Sequence, residues 1–443
     1  MNNSRNNSKN NSINKKTSIN NKIKPDKNKA IYFLAVFLSV FLLVLGYLYI
    51  SGKGSFYTPP TEDYQRAIVT EIIGTKEVLD PESVPTYADV RFRAEITAGE
   101  RQGEVVECAQ NMDYYAPFNP REVSVGDKVI IGIFGDASEW SFVEFVRSDA
   151  IVILLALFVI LLLVFGRRKG IKTVVTLTLT LAAVFLIFIP AVILGENLYL
   201  YSVLICFYIT VMTLVIVNGI SPMSLAAMIG CIGGVLASAA ITFITDLFIK
   251  LSGYIDAHSV YLLYVGNGLD LRALIFGSIL IGCVGAVMDV AVDIAASLKE
   301  LSVKLGSPSR KTLFTSGIAI GRDVIGTMSN TLVLAYIGGS ICSIILSIYN
   351  YGASPVYLFN MEPIIVELLK ILVGSMGILL TLPLTALVSA YIYTIPRMRD
   401  RLASEHRAEE GQKGSVIVAD EYTDMLEAAI DGEPDRSFEN ENE

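Results

Sequence analysis

Two aspartates stand in a segment that is otherwise apolar enough to lie in lipid. Asp289 and Asp293 fall within residues 282–297, whose sequence is GCVGAVMDVAVDIAAS. An Asp at the centre of a membrane helix costs about 2.5 to 3.5 kcal/mol on insertion scales, so an acid there predicts a functional site. Residues four apart share a helix face, so both carboxylates are expected to point toward other helices or a wet cavity. An unpaired acid in this place needs a proton, a cation or water.

A second polar group opens the apolar segment GRDVIGTMSNTLVLAYIGGS, residues 321–340. At 1.5 Å per residue, Asp289 lies roughly 13 Å from the predicted inner end of its helix, and Asn330 roughly 10 Å from that of its own. These similar depths predict one polar cluster on the inner side of a helix bundle, which is a candidate ion or substrate site. Its members are Asp289, Asp293, Arg322, Asp323, Thr327, Asn330 and Thr331.

A purely structural role for this cluster is the alternative. An ion pair between Asp293 and Arg322, with Asn330 bonded across helices, would hold the bundle together, and such bonds average well under about 1 kcal/mol. Three acids against one basic residue favour the binding site. Close approach of the helices is expected at small residues, here Gly277, Gly282, Gly285 and Gly326.

The composition places these helices in a membrane. Of 443 residues, 53% are hydrophobic and 18% are charged, which is more apolar material than a soluble domain buries. Runs of about 17 to 25 apolar residues predict eight spans, the last long enough to tilt or to break at Pro383. Numbered one to eight, they are Ala30–Ile50, Ala150–Gly166, Val174–Leu194, Tyr199–Val217, Pro222–Ile249, Leu274–Leu298, Val324–Ile348 and Pro363–Ile395.

Basic residues predict the orientation, because cytoplasmic flanks are rich in Lys and Arg. They cluster in residues 1–29, from Arg167 to Lys172, from Lys299 to Arg322 and from Arg397 to Arg401. Both termini are therefore expected in the cytoplasm of a multi-pass cell-membrane protein. The first apolar run exceeds a signal-peptide core and precedes a weak cleavage site, so it is expected to be an anchor.

The predicted domains follow from this topology. Residues 1–29 are an Asn- and Lys-rich disordered start, 30–50 the first span, 51–148 an extracytoplasmic β domain, 149–396 a seven-helix core, and 397–443 a basic, then acidic tail. The acidic tail argues against nucleic acid as a partner. The apolar spans make the lipid bilayer the expected one. Helical spacing from Tyr422 to Ile430 predicts a short tail helix, either docked or solvated.

The β domain is predicted from short alternating runs punctuated by turn residues. Five strands in about 90 residues fit a small OB- or SH3-like barrel. Its aromatic residues Tyr114, Tyr115, Phe118 and Trp140 are available for stacking on a ligand, but the absence of a basic stripe favours a core role. The predicted strands are Arg66–Ile73, Val90–Thr97, Gly103–Ala109, Lys128–Phe134 and Trp140–Val146.

Weaker polar positions lie elsewhere. Asp246 with Lys250, and Glu367 with Lys370, are expected to be interfacial or paired. The segment from Leu301 to Ile320 alternates apolar and basic residues, so it is expected to lie on the inner membrane surface or to re-enter.

The sequence GAVMDVAVDIA, a basic loop and then GRDVIGTMSNTLVLAYIGGS together resemble the YibE/F family of bacterial multi-pass membrane proteins, over roughly Val123 to Arg399. The resemblance implies an inner- or plasma-membrane protein with an outer domain, and it suggests a related membrane protein or a second copy as partner. It carries over no reaction, and Asp293 lies outside the signature. The matching positions are Asp289 in MDVA, and Gly321, Arg322, Asp323, Gly326, Thr327, Met328, Asn330, Thr331 and Leu332 in GRD-x-x-GTM-x-NTL.

Three classes of function compete. A transporter or permease of unknown solute uses the polar cluster between spans six and seven, and eight spans exceed what anchoring requires, although no inverted repeat of broken helices is seen. The alternative is a scaffold, receptor or assembly factor acting through its outer domain and tail. An enzyme is disfavoured, because His258 and His406 are the only histidines and there is no P-loop, so no catalytic residue, metal or cofactor is predicted.

Overall fold

The computed structural model describes residues 27–54, 63–79, 85–113, 121–134, 139–255, 259, 261–262, 269–351, 354–404 and 407. The chain divides into two compact units, one formed by Met1–Gly54 with Val175–Glu443 and the other by Ser55–Val174. The Asn-rich start, the tail helix expected from Tyr422 to Ile430, and the aromatic residues Tyr114, Tyr115 and Phe118 lie outside the described residues.

The second unit contains a closed barrel of five strands in the order β1-β2-β3-β5-β4. The strand β4 closes the barrel by pairing antiparallel with β1, and β5 runs parallel to β3. This is a Greek-key barrel of the OB kind, so the small β domain expected from the alternating runs is confirmed. The strands are β1 Asp63–Leu79, β2 Pro85–Ile96, β3 Val105–Asp113, β4 Lys128–Ile133 and β5 Trp140–Phe145.

The barrel is filled by the inward residues of its alternating strands. Phe92, Ile96 and Ile131 are fully buried, and Trp140 joins the same core. The first two strands are longer than predicted, because register shifts along β1 let it bend and pair with both neighbours. The hairpin between β2 and β3 begins at Gly99, where the backbone has a φ of 93° that favours glycine.

Within the described residues, eight helices are long and apolar enough to cross a membrane, which confirms the predicted count. Span eight continues as one helix through Pro383 and is not broken there. The spans keep their numbers from one to eight, with the bounds Ala30–Ser51, Ser148–Arg167, Lys169–Ile193, Leu198–Asn218, Pro222–Ile249, Leu271–Leu305, Arg310–Tyr349 and Glu362–Tyr393.

The connection between spans six and seven differs from the expected surface or re-entrant segment. The helix of span six continues to Leu305, the chain turns at Gly306 with a φ of 71°, and the next helix starts at Arg310. The segment is helical because its apolar residues pack on the bundle, where Leu313 is fully buried. The two spans therefore form a tight helical hairpin.

Span eight is the helix on which spans five, six and seven all pack. Span six is the most enclosed helix, because 61% of the residues in its most apolar stretch are buried. In span seven the buried share of the corresponding stretch is 11%. Span seven is thus a peripheral helix of this bundle, attached along one side.

Candidate functional site

The register between spans six and seven is set by their close contacts. A Cβ on Gly317 would lie 2.9 Å from Leu298, and one on Gly282 would collide with the Tyr336 hydroxyl. Since the helices run antiparallel through the hairpin, these contacts place Asp293 level with residues 322–325. They place Asp289 level with residues 326–329.

All seven residues of the predicted cluster are exposed in the described chain. Span six buries the side that carries Val287, Val290 and Ile294, so Asp289 and Asp293 point away from the core. The predicted surroundings of the two acids, other helices or a wet cavity, stay a prediction. The seven residues are exposed on the outer sides of spans six and seven, and we call them together the polar face: Asp289, Asp293, Arg322, Asp323, Thr327, Asn330 and Thr331. Arg322 and Thr331, nine residues apart, lie on opposite sides of span seven.

The polar face has few internal bonds. Thr327 donates to the carbonyl of Val324, and Thr331 donates to the carbonyl of Thr327, both within one helix at 2.9 Å. Asp293 and Arg322 stand at the same level, yet no ion pair joins them among the described residues. The ion pair of the structural alternative is therefore not present among the described residues.

The four glycines singled out from the sequence fall into two pairs. A Cβ on Gly277 would meet Ser202 at 2.6 Å, and Gly282 lies against Tyr336, so both are helix contacts. By contrast, a Cβ on Gly285 or Gly326 would meet nothing within 4 Å. The second pair therefore leaves two open notches beside the polar face.

A row of small and hydroxyl residues between spans five and eight was missed from the sequence. At each contact a hydroxyl side chain of one helix occupies the space that a Cβ on the facing glycine would need. Gly230 faces Thr385, Gly234 faces Thr381, and Gly377 faces Ser238. The signal was present, because small residues recur every four positions on both helices. We call this row the packed seam, formed by Gly230, Gly234, Ser238, Gly377, Thr381 and Thr385.

The hydroxyls of the packed seam bond mainly within their own helices. Ser238 donates to the carbonyl of Gly234 at 3.1 Å, and Thr381 donates to that of Gly377 at 2.7 Å. About two turns beyond the seam, the buried Tyr393 hydroxyl crosses to span six and donates to the carbonyl of Ala295 at 2.9 Å. The seam is thus a structural contact rather than a site.

Other polar groups in the bundle have structural partners or little room. Glu367 and Lys370 form the expected ion pair at 2.7 Å, and both are largely buried. The Asp246 side chain makes no ion pair with Lys250 among the described residues; it lines a pocket of about 10 Å³ together with Arg272. That volume holds about one water.

The barrel offers no comparable chemistry. Trp140 is 5% exposed and belongs to the core, with the Arg101 guanidinium 5.1 Å from its ring. Burial raises the pKa of the Cys108 thiol to about 12, so this thiol is neutral and unreactive. No group of three His, Cys, Asp or Glu residues suited to a metal occurs in the described part of the chain.

These features define a class: a polytopic α-helical membrane protein with a small β barrel and a polar face on two of its spans. The family model of the YibE/F-like protein matches residues 154–395, more than half of the chain. The chain therefore belongs to the YibE/F-like family, and the matched region contains both motifs of the polar face. No curated protein and no solved structure matches the chain.

Proposed function

We propose that this protein is a cell-membrane permease in which the polar face handles a proton or a monovalent cation, with Asp289 as the principal acid. The observation that carries the proposal is the lack of any ion pair to Asp289 in the described chain, although it lies deep along the bundle. Intramembrane acids of this kind usually mark ion pathways or proton relays.

The depth of Asp289 follows from its neighbours. Val287, half a turn away on the same helix, packs against Gly234 of span five and Gly377 of span eight. Gly234 is twelve residues from the start of span five at Pro222, so Asp289 lies about 15 Å along the bundle from that end. A side chain as short as Asp does not reach an interface over this distance.

The chemistry of the surrounding groups suits a cation. Carboxylate, hydroxyl and amide oxygens are available from Asp289, Thr327 and Asn330, which lie at similar levels. Such oxygens are the ligands that hard cations prefer. With no P-loop in the chain, movement of the cation would follow gradients that exist across the membrane.

The test uses the purified full chain in liposomes that contain a pH-sensitive dye. A potassium gradient with valinomycin drives proton entry, and a parallel assay follows radioactive sodium. We expect flux above that of empty liposomes for one of the two cations, and loss of that flux in Asp289→Asn. The control is Glu300→Gln, which removes an exposed acid near the end of span six.

Two outcomes would overturn the permease. One is the absence of flux of either cation from wild-type protein that is folded and inserted. The other is full flux in Asp289→Asn. If a cellular phenotype depended on residues 56–147 but not on Asp289, the scaffold or receptor class would replace it.

A further inference from the structure

In the described residues of the first compact unit the polar face is exposed, although it lies along membrane spans. Spans six and seven both pack on span eight, each through the side that lies away from the polar face. Within the described residues of that unit, no helix covers Asp289, Asp293 or Arg322, which are all exposed. Charges on a lipid-facing helix surface are rare, and they normally face a bundle interior, a partner or water. Something other than lipid must therefore cover this surface.

The charges on the polar face complement one another between its two helices. Asp293 of span six stands level with Arg322 of span seven, but the two do not meet within one chain. A two-fold axis along the membrane normal keeps every residue at its depth and makes such contacts reciprocal. Span six of one copy then faces span seven of the other, so that each Asp293 meets an Arg322.

The shape of the surface permits this contact. A Cβ atom added to Gly285 on span six or to Gly326 on span seven would have no other atom within 4 Å. Small residues at a helix surface let backbones approach closely in membranes. The open glycines lie beside the charged residues, where a second pair of helices would have to fit.

We propose that the polar face is the contact surface between two copies of this chain, held by reciprocal pairs of Asp293 and Arg322. The pairing leaves Asp289 of one copy close in level to Asn330 of the other, which lies near the side of span seven that carries Arg322, so the proposed cation site is complete only in the dimer. This inference rests on the proposed function for the role of Asp289, but the contact itself does not require flux.

A charge exchange between copies tests the contact. In Asp293→Arg both partners of each pair are basic, and in Arg322→Asp both are acidic, so neither variant should associate with itself. Co-expressed with different affinity tags, the two variants form opposite charges at both contacts. We expect either tag to recover the other variant about tenfold more than it recovers a differently tagged copy of its own variant. An ion pair within one chain would give no recovery on mixing, which would overturn the proposal.

Cysteine cross-linking provides a measurement that does not depend on the folding of charge variants. In a Cys342→Ala background, the two copies of Gly326→Cys lie diagonally across the four contacting helices, so a bismaleimide long enough to span this diagonal should link them into a dimer. Leu236→Cys is the matched control, because Leu236 is exposed on span five away from the polar face. Equal cross-linking at both positions, or none at Gly326→Cys, would contradict the proposal. A dimer without cation flux would refute only the permease, and flux from an unlinked monomer would refute only the dimer.

Discussion

The packed seam and the polar face are built from similar residues but have opposite surroundings. In the seam, threonines of span eight fill the space beside Gly230 and Gly234, so no side chain fits at these two positions. On the polar face, Gly285 and Gly326 lie beside hydroxyl, amide and carboxylate groups with nothing against them. The difference is that the seam is filled within the described chain, whereas the polar face is left open there for the proposed contact between copies.

The largest effect expected from this difference is on folding. Gly234→Leu would push a side chain into Thr381 at the centre of the bundle, and overpacking of this kind costs about 3 kcal/mol or more. Thermal unfolding in dilute detergent should show a large fall in stability, or the protein should fail to accumulate. Gly285→Leu is the matched variant and should unfold like wild type when the protein is dilute enough in detergent to separate the copies, because its site is open within the single chain. Similar losses of stability in both variants would show that the polar face is packed as tightly as the seam.

An intermediate effect is expected at the hydroxyl that joins spans six and eight. Tyr393→Phe removes the bond to the carbonyl of Ala295 without changing the packing, which should lower the free energy of unfolding by about 1 kcal/mol. Thr327→Ala on the polar face removes only a bond within its own helix and should change stability by less than about 0.5 kcal/mol. The reverse order would mean that the polar face carries stability in the single chain.

At neutral pH the smallest effect concerns the barrel, whose Cys108 thiol is buried like the residues of the packed seam. Because burial raises the pKa of Cys108 to about 12 from 9.0, this thiol should not react with a maleimide at pH 8. The unfolded thiol ionises first, so the barrel should lose stability as the pH rises from about 9 toward 12. Val105→Cys, at a position that is 54% exposed, should react rapidly in the same protein. Peptide mapping after labelling distinguishes the two sites.

The elements of this fold were predictable because their signals are local. Long apolar runs indicated eight spans. Alternation of apolar and polar residues indicated five strands, because strands buried on one face repeat with a period of two. The helical hairpin from Leu301 to Ile320 was not predicted, because basic residues that flank a bundle resemble those of a surface segment. Its burial at Leu313 depends on span eight, which no local pattern reports.

The relative depths of the candidate residues were predictable from the sequence, but their surroundings were not. The depth of Asp289 relative to Asn330 followed from helix geometry, and the antiparallel hairpin keeps them at similar levels. Which side of span six faces the bundle did not follow, because both sides carry small residues. The spacing of Gly230, Gly234 and Ser238 would have identified the buried side.

The most direct measurement of the central claim is whether the polar face touches lipid. A nitroxide spin label at Gly326→Cys, in a Cys342→Ala background and a lipid bilayer, reports its collision rate with oxygen, which is concentrated in the acyl chains. The same label at Leu236→Cys gives the value for a lipid-facing helix. We predict that the label at position 326 is shielded from oxygen relative to the label at position 236. Equal oxygen access at the two positions would contradict the account.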